Sequence, residues 1–369
     1  MDAARDLPFR IALSLIPGVG FMTAKVLYNY FGSAEAIFKA REKTLLKVPG
    51  IGTVTAANIR NQNVLKRAEA EVEFNLKHRI KTWFYQDADY PSKLKMCEDA
   101  PIVLFGRGNF DLNGKKIVAI VGTRNATDYG REFCQNIISE MALRGDYCVV
   151  SGLAYGIDIA AHKACLKRGV LTVGVPGHGL DRIYPSQHRQ IAEKMLVNGG
   201  LVTEFLSYTE IERQNFLRRN RIIAGLADAV IIVESAEKGG ALVTADIASS
   251  YNRDVFAVPG RIIDPFSKGC NELIRQNKAG LISGLADLEY VMSWQAEIDF
   301  PRPVQPTLFA DLEEDEKNVL SAIGGDVRSV DEICERVHMP AGQLSSILLR
   351  LEFNGHILCL PGKRYRLKS

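Results

Sequence analysis

The chain has 369 residues, 47% of them hydrophobic and 24% charged, with a formal net charge of +3. That balance excludes a disordered or low-complexity chain, and the length suits about two or three domains. No apolar run approaches the roughly 20 residues that span a bilayer, so no membrane partner is expected.

The first ten residues carry Asp2 and Asp6 and lack the basic-then-apolar order of a secretory signal. Seven scattered cysteines (Cys97, Cys134, Cys148, Cys165, Cys270, Cys334 and Cys359) form no CxxC pair. They predict neither a zinc site nor a disulfide framework and fit a reducing, cytoplasmic location. Charge is unevenly spread. Residues 1–80 carry 12 Lys/Arg against 7 Asp/Glu, residues 296–369 carry 9 against 12, and the middle carries 25 against 24. A nucleic-acid surface in the middle must therefore come from local clustering.

Residues 1–78 read as helical with a repeated turn. Ile16-Pro17-Gly18-Val19-Gly20 is followed by Ala24, and Val48-Pro49-Gly50-Ile51-Gly52 by Ala56. Each turn lies between two helical patterns, where Pro and Gly punctuate a tight connection. The pair resembles a tandem helix-hairpin-helix domain, whose glycines free backbone N–H groups for a duplex DNA phosphate. The alternative is a helix-pairing hairpin with no ligand.

Residues 79–295 alternate apolar runs with amphipathic ones. The runs at 82–85, 102–105, 117–121, 148–151, 171–175, 201–204, 229–233 and 255–258 predict strands. Helical patterns occupy 130–143, 157–167, 186–197, 219–227 and 242–250. This is an α/β pattern: a Rossmann-like, doubly wound, mostly parallel sheet covered on both faces, whose ligands bind beyond the carboxyl ends of the strands. A Pro-rich linker, 296–312, contains Pro301, Pro303 and Pro306. Residues 313–369 carry three helical stretches, at 314–323, 330–337 and 341–354, then a two-stranded wing, a winged-helix pattern. The third of these helices presents Gln343, Ser345, Ser346 and Arg350, and only the wing (Lys363, Arg364, Arg366, Lys368) is basic. A protein contact suits that surface better than a DNA groove.

The strand ends carry the chemistry. Gly122-Thr123-Arg124, Ser151-Gly152 and Gly239-Gly240 each close a strand where a helix begins. Glycine admits a phosphate to the backbone, and a helix N-terminus supplies unpaired donors with partial positive charge. Such turns also occur in doubly wound folds merely to reverse the chain. Arg124 adds a planar fork of donors. Arg213, Arg218, Arg219 and Arg221, with Phe216 and Asn220 among them, lie just ahead of an apolar helix. Cations gathered at a helix N-terminus call for an incoming anion, and Phe216 offers a face for a stacked base. The alternative places Phe216 in the core and pairs the arginines with Glu204, Glu210 and Glu212. Asp158 and His162, at i and i+4, read as a structural pair fixing the turn. His178 and His188 read as solvated or hydrogen-bonded loop residues without metal-ligand spacing.

In order, Ile120-Val121-Gly122-Thr123-Arg124, Val150-Ser151-Gly152-Leu153-Ala154-Tyr155-Gly156-Ile157-Asp158 with Ala161-His162, and Gly179-Leu180-Asp181 with Tyr184-Pro185 stand along the chain. They are followed by Arg219-Asn220-Arg221-Ile222-Ile223-Ala224-Gly225-Leu226, Val255-Phe256-Ala257-Val258-Pro259-Gly260 and Gly269-Cys270-Asn271. This series resembles the DNA-processing protein A (Smf) family over residues 90 to about 280, and the flanking regions match its larger members.

The resemblance implies a homodimeric, cytoplasmic protein that binds incoming single-stranded DNA in natural transformation and loads a RecA-type recombinase. It implies a pocket using Arg124, Arg213 and Phe216, and a dimer face near Ile262–Ile274. Three departures qualify it. Leu217 stands where the family has proline, Gly239-Gly240 replaces Ser-Gly, and Ser186 stands where some relatives carry lysine.

No catalytic residue, metal or cofactor is expected. The rival reading is a nucleotide or nucleoside-phosphate hydrolase, whose signature is Pro-Gly-Gly-x-Gly-Thr-x-x-Glu, but Lys238-Gly239-Gly240-Ala241-Leu242-Val243-Thr244 lacks the glycine before the threonine and the glutamate after it. No GxxxxGK[ST] loop or GxGxxG turn supports an ATP-driven motor or a dehydrogenase.

Overall fold

The strands form one nine-stranded sheet. They are β1 (Lys81–Phe84), β2 (Val103–Asn109), β3 (Lys116–Val121), β4 (Tyr147–Ser151), β5 (Leu171–Gly174), β6 (Gly199–Thr203), β7 (Ala229–Ile232), β8 (Asp254–Ala257) and β9 (Gly280–Leu281). All come from a computed structural model that describes residues 3–61, 63–295, 312–324, 326–360 and 362–367. All eight predicted strands are present. The two-residue ninth at the edge, Gly280–Leu281, is too short to give an apolar run that stands out from its surroundings.

The order is β1-β2-β6-β5-β4-β3-β7-β8-β9. β1 pairs antiparallel with β2, and β2 antiparallel with β6. From β6 to β9 every pairing is parallel. The chain winds outward from β3 through β4, β5 and β6, then returns to the other side of β3 for β7, β8 and β9. The order therefore reverses between β3 and β7, where a doubly wound sheet leaves a crevice at its strand ends.

Helices cover both faces. On β3, Ile117, Ala119 and Val121 join one apolar cluster while Val118 and Ile120 join another, as the two-residue period of a strand requires. The second cluster holds α8 (Asp128–Arg144) and α9 (Ile157–Arg168). The first holds α11 (Arg213–Leu226) and α12 (Gly240–Ser250), and it runs without a break into the N-terminal helices. Those are α1 (Ala3–Leu15), α2 (Phe21–Phe31), α3 (Ala34–Lys39), α4 (Glu42–Leu45), α5 (Thr53–Arg60) and α6 (Leu65–His78); the short α7 (Ser92–Lys95) precedes β2 and α10 (Arg189–Met195) precedes β6.

The two Pro-Gly turns are built alike. Gly18 and Gly50 take φ of 83° and 81°, in the region that favours glycine. Val19 N donates to Ile16 O and Ile51 N to Val48 O, both at 3.1 Å. Residues Met1–Gln295 form one compact unit. Within it, buried Glu71 of α6 accepts from Ser207 N at 3.0 and 3.1 Å and from the Ser207 hydroxyl, while Arg67 donates to the Ser207 carbonyl.

The second unit spans Ala296–Ser369. The predicted linker and the terminal Lys368 fall outside the described residues, except for Leu312. Helices at Glu314–Ile323, Val330–Val337 and Ala341–Phe353 pack around Val319, Ile333, Leu344, Ile347 and Leu351. The first two begin with capping boxes, Glu313 with Glu316 and Ser329 with Glu332. The wing strands Ile357–Leu360 and Arg364–Leu367 gain a third partner, Arg328–Ser329. This is a winged-helix domain.

Candidate nucleic-acid interface

The crevice at the strand reversal is a cavity of about 400 Å³, bounded by the tip of β3, one side of α11 and the start of α12. Gly122, Thr123 and Arg124 line it from β3; Arg213, Phe216, Arg219 and Asn220 from α11; Gly239 and Gly240 from α12. Nine of the thirteen predicted binding residues thus meet in one place.

The β3 tip is held from two sides. Thr123 N donates to Glu234 O at 2.7 Å, and Ile157 N donates to Thr123 O at 3.1 Å. A Cβ on Gly156, whose φ is +77°, would stand 2.1 Å from that same Thr123 oxygen, so only glycine lets α9 start this close. The buried Glu234 carboxylate accepts from Thr127 N at 2.9 Å and from the Thr127 hydroxyl, fixing the loop that follows Arg124. The sequence reading passed over Glu234, because a lone carboxylate after a strand carries no local signal.

Arg124 and Arg213 are exposed and Asn220 is half-buried, and none of the three side chains forms a hydrogen bond or ion pair among the described residues. No side chain caps the first turn of α11 or α12, so both present backbone donors and the positive ends of their dipoles. Phe216 is half-buried, with its ring 5.8 Å from that of Tyr184.

Four expected binding residues lie elsewhere. Ser151 is fully buried and donates to Ile120 O at 2.6 Å. Gly152 N donates to Asp158 Oδ2 at 3.1 Å, and its carbonyl accepts from Arg219 at 2.5 Å. The β4 tip therefore spends its polar groups internally. Arg218 and Arg221 face Glu204, the former at 3.8 Å, and Arg221 also donates to Asp99 O. Here the alternative pairing with Glu204 applies.

The reason is a helix boundary. α11 begins at Arg213, six residues before the predicted 219, so the arginines are spread over a little more than two turns instead of gathered at one end. Arg219 lines the cavity but is 4% exposed, bonded to the carbonyls of Gly152 and Val175. Burial lowers its pKa to about 10, with Asp158 acting in the opposite direction. It is a cation of the interior.

The histidines, too, depart from their expected settings. Asp158 accepts from Gly152 N and Ala154 N, whereas His162 Nδ1 lies 2.7 Å from Thr172 Oγ1, so the two are not a bonded pair. Since the Thr172 hydroxyl donates to Val149 O at 3.0 Å, Nδ1 carries the proton. Burial pushes the His162 pKa down to about 3. His178 and His188 are hydrogen-bonded but buried: His178 Nε2 accepts from Tyr184 N at 3.1 Å, and His188 Nδ1 lies 2.8 Å from Leu153 O. Among the described residues no group of three His, Cys, Asp or Glu stands placed to hold a metal ion, and no helix is long and apolar enough to cross a membrane.

Fold and site together define a Rossmann-like α/β protein with a cationic cleft at its strand reversal, preceded in sequence by a helix-hairpin-helix region and followed by a winged helix. Family models agree: residues 81–292 match DNA recombination-mediator protein A, 303–363 the DprA winged helix domain and 9–63 the helix-hairpin-helix motif. Protein Smf of Synechocystis is 33% identical over 99% of both chains. Protein Smf of Escherichia coli is 37% identical over 76% of this chain and 75% of its own. The structure of DNA processing protein A from Streptococcus pneumoniae matches with TM-score 0.65 and 28% identity, covering 77% of this chain and 97% of that one. That of Helicobacter pylori, described for its single-stranded DNA binding mode, matches with TM-score 0.53 and 28% identity over 58% of this chain and 96% of its own. The chain belongs to the DNA recombination-mediator protein A (DprA/Smf) family.

Proposed function

We propose that this protein binds single-stranded DNA in the cleft between β3, α11 and α12, protects incoming strands during transformation and recombination, and loads a RecA-type recombinase onto them. The observation that carries the reading is the pairing of Arg124 and Arg213, both without internal partners, with the uncapped start of α12 around a single cavity. An anion there gains charge-assisted hydrogen bonds that no described residue already supplies. Half-buried Phe216 offers its face to a base. Ser151, Gly152, Arg218 and Arg221 act through the scaffold in this reading.

The protein works as a homodimer in the cytoplasm, without a cofactor and without catalysing a reaction. The equivalent glycine turns of the N-terminal hairpins, whose Gly20, Gly50 and Gly52 face open space, suit a duplex phosphate.

The test is a salt titration of oligothymidylate binding. Arg124→Ala should weaken binding about tenfold at every sequence and reduce the slope of log affinity against log salt by about 0.7. Unchanged affinity and slope would remove the cleft from the function. Nucleoside monophosphate turnover lost in the same variant would establish the hydrolase instead.

A further inference from the structure

A second, larger cavity of about 800 Å³ adjoins the cleft, and Arg124 lines both. It is a groove along α8 and α9, with Arg131 on one wall, Lys163 and Lys167 on the other and Tyr155 at its head. None of its lining residues is acidic. Lys163 and Lys167 are exposed, and neither makes a hydrogen bond or ion pair among the described residues. Arg131 reaches Asp128 at 2.7 Å, but that aspartate is fully exposed, so the pair is a weak competitor for an incoming anion. Tyr155 is 42% exposed, and its hydroxyl donates to Gln187 at 2.9 Å, which steadies the ring beside the groove.

We infer that the groove carries the continuation of the single strand beyond the cleft, with Lys163 and Lys167 on its phosphates and Tyr155 beneath a base. This rests on the function proposed above. A strand held at Arg124 leaves the cleft past that side chain, and the floor it meets is cationic. Lys163 and Lys167 stand one helical turn apart, about 6 Å along the axis, so they form a row that follows a backbone instead of one compact anion site. An exposed aromatic at the head of such a row adds stacking, which an acidic peptide does not use.

The experiment compares a six-nucleotide and a twenty-nucleotide oligothymidylate on the full chain, with Lys163→Gln/Lys167→Gln, Lys163→Arg/Lys167→Arg and Arg124→Ala. The Gln pair should bind the short oligomer like the wild type and the long one about fivefold more weakly. Its salt slope on the long oligomer should fall by about 1.4, twice the single-strand value per phosphate. The Arg pair should restore both affinity and slope, which a merely structural role would not do.

Wild-type affinity and slope in the Gln pair on the long oligomer would overturn the groove, and so would equal losses on both lengths. Retained DNA binding with lost binding of a polyglutamate peptide would also overturn it, assigning the surface to an acidic protein segment. Arg124→Ala separates the two readings: if it binds both lengths like the wild type, the cleft itself fails, whatever the lysines do.

Discussion

Arg124 and Arg219 line the same cleft under opposite conditions. Arg124 is exposed and unpartnered, whereas Arg219 is enclosed, its guanidinium spent on two carbonyls beside Asp158. Removing Arg219 leaves buried Asp158 without its cation, so Arg219→Leu should cost about 3–5 kcal/mol, read from the urea midpoint. Arg124→Ala should stay within about 0.5 kcal/mol of the wild type. Equal stability of the two variants would show that Arg219 is not part of the scaffold.

His162 gives a pH signature. Its folded pKa, about 3, lies below the ordinary 6.5, so between these values the unfolded chain binds a proton that the folded one refuses. Stability contributed by the neutral ring is therefore present above pH 6.5 and lost as the pH falls, approaching about 1.4 kcal/mol per pH unit. His162→Gln should flatten that dependence relative to the wild type between pH 7 and pH 5, measured by denaturant midpoints; parallel curves would refute the assignment.

Elements are fixed to one another by buried polar contacts as well as by apolar packing. The carboxylate of Glu71 on α6 takes both donors of Ser207, and Arg67 closes the ring through the Ser207 carbonyl. Glu71→Ala leaves buried donors unsatisfied and should destabilise by about 1–3 kcal/mol, with amide exchange rising first in α6 and around Ser207. A uniform rise across the whole sheet would argue against a local clamp. The position of α11 shows how a helix boundary decides which side chains line the cleft. Starting at Arg213, the helix turns Arg213, Phe216 and Asn220 to the cleft and Arg218 and Arg221 to Glu204.

At the scale of the molecule, the chain divides after Gln295. The larger unit contains the cleft and the groove complete, and the winged-helix region carries net negative charge. A chain ending at Gln295 should therefore bind oligothymidylate within about threefold of the full length, measured by anisotropy, because affinity for a polyanion follows the cations that meet it. A much larger loss would bring the second unit into the interface.

Local signals were enough for the architecture. Continuous apolar runs such as Ile117–Val121 specify strands buried on both faces, and the paired Pro-Gly turns specify hairpins, because hydrophobic periodicity and backbone permissiveness belong to short stretches of chain. The same signals placed Arg124 and the turns that open into helices. They left undecided which arginine of the 213–221 cluster faces solvent and which is consumed by Glu204 or the β4 tip. They were equally silent on Glu234 under the β3 loop, and on Lys163 and Lys167 completing a groove that begins at Arg124. Those roles depend on partners distant in sequence. A side chain's charge is free for a ligand only when no buried carboxylate or carbonyl has already taken it, and that is settled by packing in three dimensions.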